Sequence, residues 1–425
     1  MINKDLLRKF GIVIIGLLIF RMGSHIPVPG VDPVALALMF DSYDGTIFDM
    51  MNTFSGGSLK RLSVFAIGVM PYISASITIQ ILTLFFKSFK EIKNDGLKGQ
   101  LKIAQYTRNL TILIATVQAI GLTQTLKSQI VNGMPIIPDQ SILFQIGAVL
   151  TLVAGTFALV WIGEKITEYG IGNGLSLIIF ASIISNIPLS IQGTINLVKN
   201  GELSSVFGFL VLILVLATLV IVVTMEKSQR RIPVANSKGD GLHSYKSFLP
   251  FKVNMAGILP PIIASSLMLL PSTLGLMLSG SSEFSFLQKI SLFFAHGSYI
   301  YLLSFTALII AFSYMFNSLQ HNPFETAKKL KENGTFIDGI RPGHNTGLYL
   351  KKMMSRLTFI GSVYLALICI IPEILIYSWN IPFYFGGTSI LIMVMVALEW
   401  QNQINSHLRK NNYKNIREEI SKAFE

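Results

Sequence analysis

Apolar residues in this chain fall in long blocks instead of alternating with polar ones. Ten such runs stand out: Phe10 to Met22, Pro71 to Phe86, Asn109 to Leu126, Ile142 to Gly163, Gly174 to Ile191, Val206 to Thr224, Met255 to Leu278, Ser298 to Phe316, Leu357 to Ile371 and Thr388 to Leu398. A helix needs about 20 apolar residues to cross a bilayer. Several runs are shorter than that, and polar flanks complete such a span by snorkelling. The pattern therefore predicts ten membrane helices. In the interiors of the runs as bounded here there is no Asp, Glu, Lys, Arg or His; Arg21 stands at the end of the first. Their polar content is Gly, Ser, Thr, Asn and Gln, as in the series Ser74, Ser76, Thr78 and Gln80. Uncharged polar residues of this kind bond across helices, and small ones let helices approach closely.

One stretch breaks the pattern. From Phe48 to Phe86 an apolar segment is interrupted at Ser55-Gly56-Gly57-Ser58, carries a cationic pair at Lys60-Arg61, and then continues without charge through Pro71 to Phe86. Pro71 lacks a backbone donor and the glycines lower helix propensity, so a single uniform helix is a poor reading. A short re-entrant piece followed by a true span fits better. Non-helical backbone at membrane depth is tolerated only where protein buries it or it lines a water-filled cavity. The alternative is an extracytoplasmic loop that dips into the interface before an ordinary kinked helix.

Charge sets the orientation. If the N-terminus is cytosolic, the inside segments hold 27 of the 34 Lys and Arg residues, against five outside (Lys60, Arg61, Lys127, Lys199, Lys289), with Arg21 and Arg108 at helix ends. Under the positive-inside rule, both termini then face the cytosol. Two inside segments exceed what a connection needs, Met225 to Val253 and Asn317 to Arg356. The second contains a helix-like Pro323 to Leu330 and then Gly339-Ile340-Arg341-Pro342-Gly343. Loops of this length in a compact protein are usually functional or disordered. Their charge suits an acidic protein surface or nucleic acid; the plainer reading is that most of the lysines only orient the chain. Arg341 differs, because Gly and Pro on both sides fix the backbone that presents it.

Composition agrees with the pattern. Of 425 residues, 51% are hydrophobic and 13% charged, with a mean hydropathy of +0.59. A soluble chain carries roughly a quarter charged residues. A single cysteine, Cys369, excludes an intrachain disulfide and a cysteine metal cluster, and the six histidines have no zinc-like spacing. The basic start followed by Arg21 and Pro27-Val28-Pro29-Gly30 has no small-residue cleavage site, so the first run is expected to stay as a helix. Neither Gly56-Gly57-Ser58-Leu59-Lys60 nor Gly96-Leu97-Lys98-Gly99 has the spacing of a phosphate-binding loop, and no serine, histidine and acid arrangement is in a plausible context. An enzyme is not expected, and no cofactor is. If the chain does directed work, a partner supplies the energy.

Seven tracts in order carry a family likeness: Arg21 to Gly30, Phe54 to Gly57, Gly68 to Ser76, Gly170 to Gly174, Lys252 to Gly257, Gly339 to Gly343 and Pro382 to Ser389. They resemble the SecY family, the channel subunits of the bacterial Sec protein translocase, over nearly the whole chain. The resemblance implies an all-α polytopic membrane protein. Its ten transmembrane helices form two inverted-repeat halves of five, residues 1–200 and 201–425, around a central hourglass pore with a re-entrant plug. It implies a plug that includes Phe48, Met51, Phe54, Ser55, Gly56, Gly57, Leu59 and Arg61. It implies a pore ring of Val69, Ile73, Ile179, Ile262 and Ile392, with valine where an isoleucine is common. It implies a lateral gate between the second and seventh spans, with Ser74, Gln118 and Asn254 near the seam. It implies partner docking at Arg230, Arg231 and Arg341, for the motor SecA or a ribosome. The further partners would be the SecE and SecG subunits, unfolded preproteins, signal sequences and membrane lipid, at the bacterial plasma membrane. The loop from Arg231 to Phe248 and the tail after Glu399 depart from the family pattern.

Two other classes compete. A secondary transporter for a small solute shares ten spans and an inverted repeat, but it needs a charged or ion-coordinating cluster at the midplane, which the runs lack. A membrane scaffold with no pathway would leave the break before Pro71 as mere loop. An apolar waist that excludes water suits a channel that must pass any side chain.

Overall fold

The computed structural model describes residues 4–42, 52–127, 129–131, 134–138, 141–201, 204–236, 247–277, 298–379 and 387–424. Each of the ten apolar runs falls on its own helix. In chain order these are α1 (Lys4–Gly23), α3 (Met70–Phe85), α5 (Gly96–Lys127), α6 (Ile142–Tyr169), α7 (Gly174–Lys199), α8 (Ser205–Lys227), α9 (Leu259–Met277), α10 (Tyr299–Gln320), α12 (His344–Trp379) and α13 (Gly387–Phe424). Three shorter helices lie between them: α2 (Pro33–Ser42), α4 (Lys87–Asn94) and α11 (Pro323–Glu332). Among the described residues, six helices are long and apolar enough to cross a membrane. A bent pair, Met70–Thr83 with Lys87–Asn94 at 102°, makes a seventh if it counts as one span.

The boundaries shift in ways that local pattern could not show. Pro71 sits in the first turn of α3, where its missing N–H is not needed, so it starts the helix and does not kink it. The sharp bend comes instead at Phe86, whose backbone is extended (φ −109°, ψ 121°). Helix α9 begins at Leu259, and residues 253–258 before it are turn. The longer helices also take in charge. Arg108 lies well inside α5, not at a helix end, and Glu164 lies on α6. The two form a two-pronged ion pair of 2.8 and 2.9 Å, so the charge-free reading of the spans holds only for the shorter bounds drawn from the sequence.

The chain is mostly but not wholly helical. The two long inter-helix segments, 225–253 and 317–356, share one sheet, order β4-β3-β5, formed by β3 (Gln229–Asn236), β4 (Ser247–Lys252) and β5 (Thr335–Ile337). Strand β3 is the antiparallel partner of both neighbours, pairing Ile232 with Leu249 and Val234 with Ile337. Its inward side chains, Ile232 and Val234, join Phe251, Ala327, Ile337, Leu350, Met354 and Leu357 in one apolar cluster. Most of what composition marks as loop is therefore a folded platform resting on α11 and α12. The Gly239-Asp240-Gly241 turn falls outside the described residues. A second, two-stranded pair joins β1 (Ile130–Val131) to β2 (Met134–Pro135).

Exposed aliphatic and aromatic side chains cover the outward faces of the long helices, among them Leu150 on α6, Phe209 and Leu212 on α8, and Leu303 on α10. Helix α8 buries only Val211, Thr218, Val222 and Glu226. In lipid such faces carry no penalty, and helix association depends on close packing. Gly155 shows how close: a Cβ there would land on the backbone carbonyl of Val64, so α6 touches the main chain of the broken stretch itself.

Candidate functional site

The broken stretch is held by its own local bonds. Residues 52–54 form one helical turn, after which Gly57 N donates to Asn52 O (2.9 Å) and Lys60 N to the Asn52 side-chain oxygen (2.9 Å). Ser55 Oγ donates to Asn52 O and accepts from Leu59 N. Gly56 and Gly57 both adopt positive φ (69° and 80°), which L side chains reach only with strain. The chain then pairs with the segment after α1: Val28 N donates to Leu62 O (2.9 Å) and Val64 N to Ile26 O (3.0 Å). Residues 55–69 are thus an ordered, non-helical unit inside the helix bundle, with Leu59 and Leu62 fully buried. Phe48 and Met51 lie outside the described residues.

Two helices grip this unit. Arg21, at the end of α1, donates from Nη1 to Gly56 O at 3.2 Å. From α7, Ser185 Oγ donates to Gly56 O (3.4 Å) and Asn186 Nδ2 to Thr53 O (3.2 Å). A Cβ at Gly56 would stand 3.1 Å from the Ser182 backbone, so the fit leaves no room for a side chain. Arg61 faces the charge of Arg21, and one of its guanidinium nitrogens, Nη1, is buried with no hydrogen-bond partner among the described residues.

The five residues that the resemblance marks as a ring meet in one place. Val69, Ile179, Ile262 and Ile392 are all buried members of a single apolar cluster, and Ile73 packs against it. They come from five separate positions: the residue before α3, the first turn of α3, and helices α7, α9 and α13. Sequence separations of over 300 residues are closed at this point. Phe54 from the broken stretch belongs to the same cluster, with Phe20, Phe65 and Ile183. The five ring residues are all aliphatic, so their side chains offer water no hydrogen bond.

A cavity of about 1020 Å³ opens nearby, lined by Lys9, Asn173, Glu226, Lys252, Met395 and Glu399 among others. Met395 is one helical turn beyond Ile392 on α13. The lining of the cavity thus comes from α1, the segment between α6 and α7, the end of α8 and the middle of α13.

The three seam residues are not brought together by hydrogen bonds among the described residues. On α3, Ser74 offers its carbonyl to the Thr78 hydroxyl (2.8 Å), while the side-chain oxygen of Gln118 on α5 is buried without a partner there. Asn254 bonds instead to the end of α8, donating from Nδ2 to Glu226 Oε1 at 2.7 Å. The helices themselves do meet: Ile77 of α3 packs with Ile263 of α9 and with Ala256.

The three candidate docking arginines share the platform built on this sheet. Arg230 and Arg231 are exposed on β3, and Arg341 is exposed in the turn after β5, between Gly339 (φ 78°) and Gly343 (φ 104°). The Thr346 hydroxyl donates to Arg341 O at 3.0 Å and fixes that turn to α12. Several side chains at these sites had no sequence signal that singled them out: Arg21, Ser185, Asn186 and Glu226. Their roles depend on which distant backbone they reach.

Comparison with known proteins supplies the family. The SecY family model matches residues 63–401. The protein translocase subunit SecY of Vibrio cholerae is 44% identical over 420 residues, covering 97% of this chain and 94% of that one. Two solved structures share the fold at 17% identity. One described as a protein-conducting channel has a TM-score of 0.69 and covers 96% of this chain and 94% of its own. Sec61 in a canine ribosome-channel complex has a TM-score of 0.65 and covers 94% and 92%. With a family model over most of its length and a relative of this identity over nearly all of it, the chain belongs to the SecY family of protein translocase subunits.

Proposed function

We infer that this protein is the protein-conducting channel of a bacterial Sec translocase, a transport subunit and not an enzyme, seated as a multi-pass protein in the cytoplasmic membrane. The observation that carries the mechanism is the single apolar cluster in which Val69, Ile73, Ile179, Ile262 and Ile392 meet Phe54. In this reading the ten helices form two inverted halves, 1–200 and 201–425, around an hourglass pore, and both termini are cytosolic. The five aliphatic residues are the waist, and residues 52–62, continuing back through Phe48 and Met51, are the plug below it. Flexible aliphatic side chains close around whatever chain passes and exclude water when none does. The 1020 Å³ cavity above them serves as the cytosolic entrance.

Lateral release follows from the way α3 packs on α9. That packing is apolar, with Ser74 and Gln118 nearby, and an apolar signal helix can take its place at little net cost, because one aliphatic surface is exchanged for another. Asn254 contributes from the turn that precedes α9. Arg230, Arg231 and Arg341 stand on a rigid sheet facing the cytosol, which suits docking of SecA or a ribosome; the canine relative was itself solved in a ribosome-channel complex. Arg presents a planar fork that matches carboxylate or phosphate in a way lysine does not. SecE and SecG would cover exposed helix faces, and unfolded preproteins, signal sequences and lipid complete the set of ligands.

The test is reconstitution. Vesicles containing the purified chain with SecE, SecG and SecA should take up an unfolded preprotein in an ATP-dependent way. Uptake of a small solute with no preprotein movement would instead favour the secondary transporter, and neither would leave a scaffold.

A further inference from the structure

Glu226 is a buried acid near the cytosolic end of a helix, and among the described residues it has a single hydrogen-bond partner. It is 6% exposed on the last turn of α8, and only its Oε1 is paired, with Asn254 Nδ2 at 2.7 Å. Its Oε2 is buried and unpaired, as is the hydroxyl of Tyr364 on α12 within electrostatic reach. The other titratable neighbour is Lys252 at the end of β4. Burying a carboxyl with so little compensation is costly, and a cost of that kind is retained where the group sets a conformation.

What Glu226 reaches is the turn that begins α9. Asn254 is 3% exposed, accepts from Gly257 N at 3.1 Å through Oδ1, and donates to Gly257 O at 3.2 Å through the same Nδ2 that meets Glu226. Gly257 has a positive φ of 71°. Against the other side of this turn lies Gly361 of α12, where a Cβ would stand 3.0 Å from Val253 O and 3.3 Å from Asn254 Cα. The turn is therefore clamped between α8 and α12. Helix α9 starts two residues later and carries Ile262 into the waist and Ile263 against Ile77 of α3.

We propose that Glu226 is a positioning residue for the lateral gate: through Asn254 it fixes the 254–257 turn, and so the seat of α9 against α3. The proposal rests on the channel reading above. It requires a hydrogen bond between an acceptor on one of the two residues and an amide on the other, not the negative charge as such. Glu226→Gln keeps the acceptor. Glu226→Ala removes it, and Asn254→Asp places two carboxyls against each other. Adding Glu226→Gln to Asn254→Asp restores an amide and an acid with their positions exchanged.

Gate closure is read by disulfide formation between Ile77→Cys and Ile263→Cys in a Cys369→Ser background, in membranes without substrate. The same variants are scored for export of a preprotein with a defective signal. Glu226→Ala and Asn254→Asp should each slow the crosslink about tenfold, the scale of one hydrogen bond to a charged group, and permit that export. Glu226→Gln should stay within about twofold of the parent, and the exchanged pair should recover most of the parental rate. A parental crosslinking rate in accumulated Glu226→Ala protein would overturn the proposal. So would an exchanged pair that accumulates yet crosslinks no faster than Asn254→Asp alone. If Glu226→Ala does not accumulate, the two Asn254→Asp variants decide the matter by the same measure. The crosslink does not depend on transport, so failure of the parent to translocate would count against the channel reading alone.

Discussion

Removing the grip on residues 52–62, the plug of the proposed channel, should make the resting channel leak, and the structure sets the size of the effect. Arg21 Nη1 donates to Gly56 O at 3.2 Å, a bond from a charged donor, worth about 1.5–3 kcal/mol where the site is buried. Two features place Arg21→Ala at the lower end. The Gly56 carbonyl keeps Ser185 Oγ at 3.4 Å, so it is not orphaned, and loss of Arg21 relieves its repulsion of Arg61. About 1.5 kcal/mol raises the open population roughly tenfold, since about 1.4 kcal/mol is one decade. Asn186→Ala removes a neutral bond to Thr53 O, worth about 1 kcal/mol. The double variant should therefore open roughly 50-fold more often, within the error of additivity for bonds on one turn. Single-channel recording in planar bilayers, with purified protein and no substrate, measures this directly. A double variant that accumulates normally, elutes as a single species and shows the conductance of the parent would refute the reasoning, because it would mean that the plug is held by something other than these bonds.

Val69→Ser with Ile73→Ser should leave protein levels normal while raising ion conductance and exporting preproteins with defective signals; loss of the protein with no new conductance would place the pair in ordinary core. Arg341→Glu should largely stop motor-driven translocation in vesicles while membrane insertion of the protein stays intact, and Arg341→Lys should also impair it, because lysine lacks the fork. Normal transport by both would leave Arg341 as a topology charge. Gly155→Ala should reduce accumulation and thermal stability of the solubilised protein, by about 1–3 kcal/mol or more, since its Cβ would collide with the backbone at Val64. An unchanged melting temperature would show that α6 moves away without penalty.

How far the sequence reached depended on whether a feature is local. The ten runs each fall on a helix, six of those helices being long and apolar enough to cross a membrane among the described residues, because length and apolarity are both readable in a window of about 20 residues. The interruption at Ser55-Gly56-Gly57-Ser58 was legible because positive φ favours glycine, and the ordered turns at Gly56 and Gly57 follow from it. The role of Pro71 was misplaced, since a proline that starts a helix and one that breaks a helix look alike until the first turn is located.

Tertiary structure alone decided the rest, because it concerns partners far apart in the chain. No periodicity links Val69 to Ile392, or Phe54 to either, yet packing puts them in one cluster. The sheet that unites the two long inter-helix segments needed pairing of Val234 with Ile337, far along the chain. A weakly alternating strand in a loop gives little sign of such a partner. Polar residues were the hardest to read. Arg108, Glu164, Arg21, Asn186 and Glu226 look like flanking charge or helix glue in the sequence. Only the folded chain shows that two of them form an ion pair, two hold a backbone turn, and one is buried beneath the start of α9. A polar side chain is specified by what it reaches, and that is fixed by the fold and not by its neighbours in sequence.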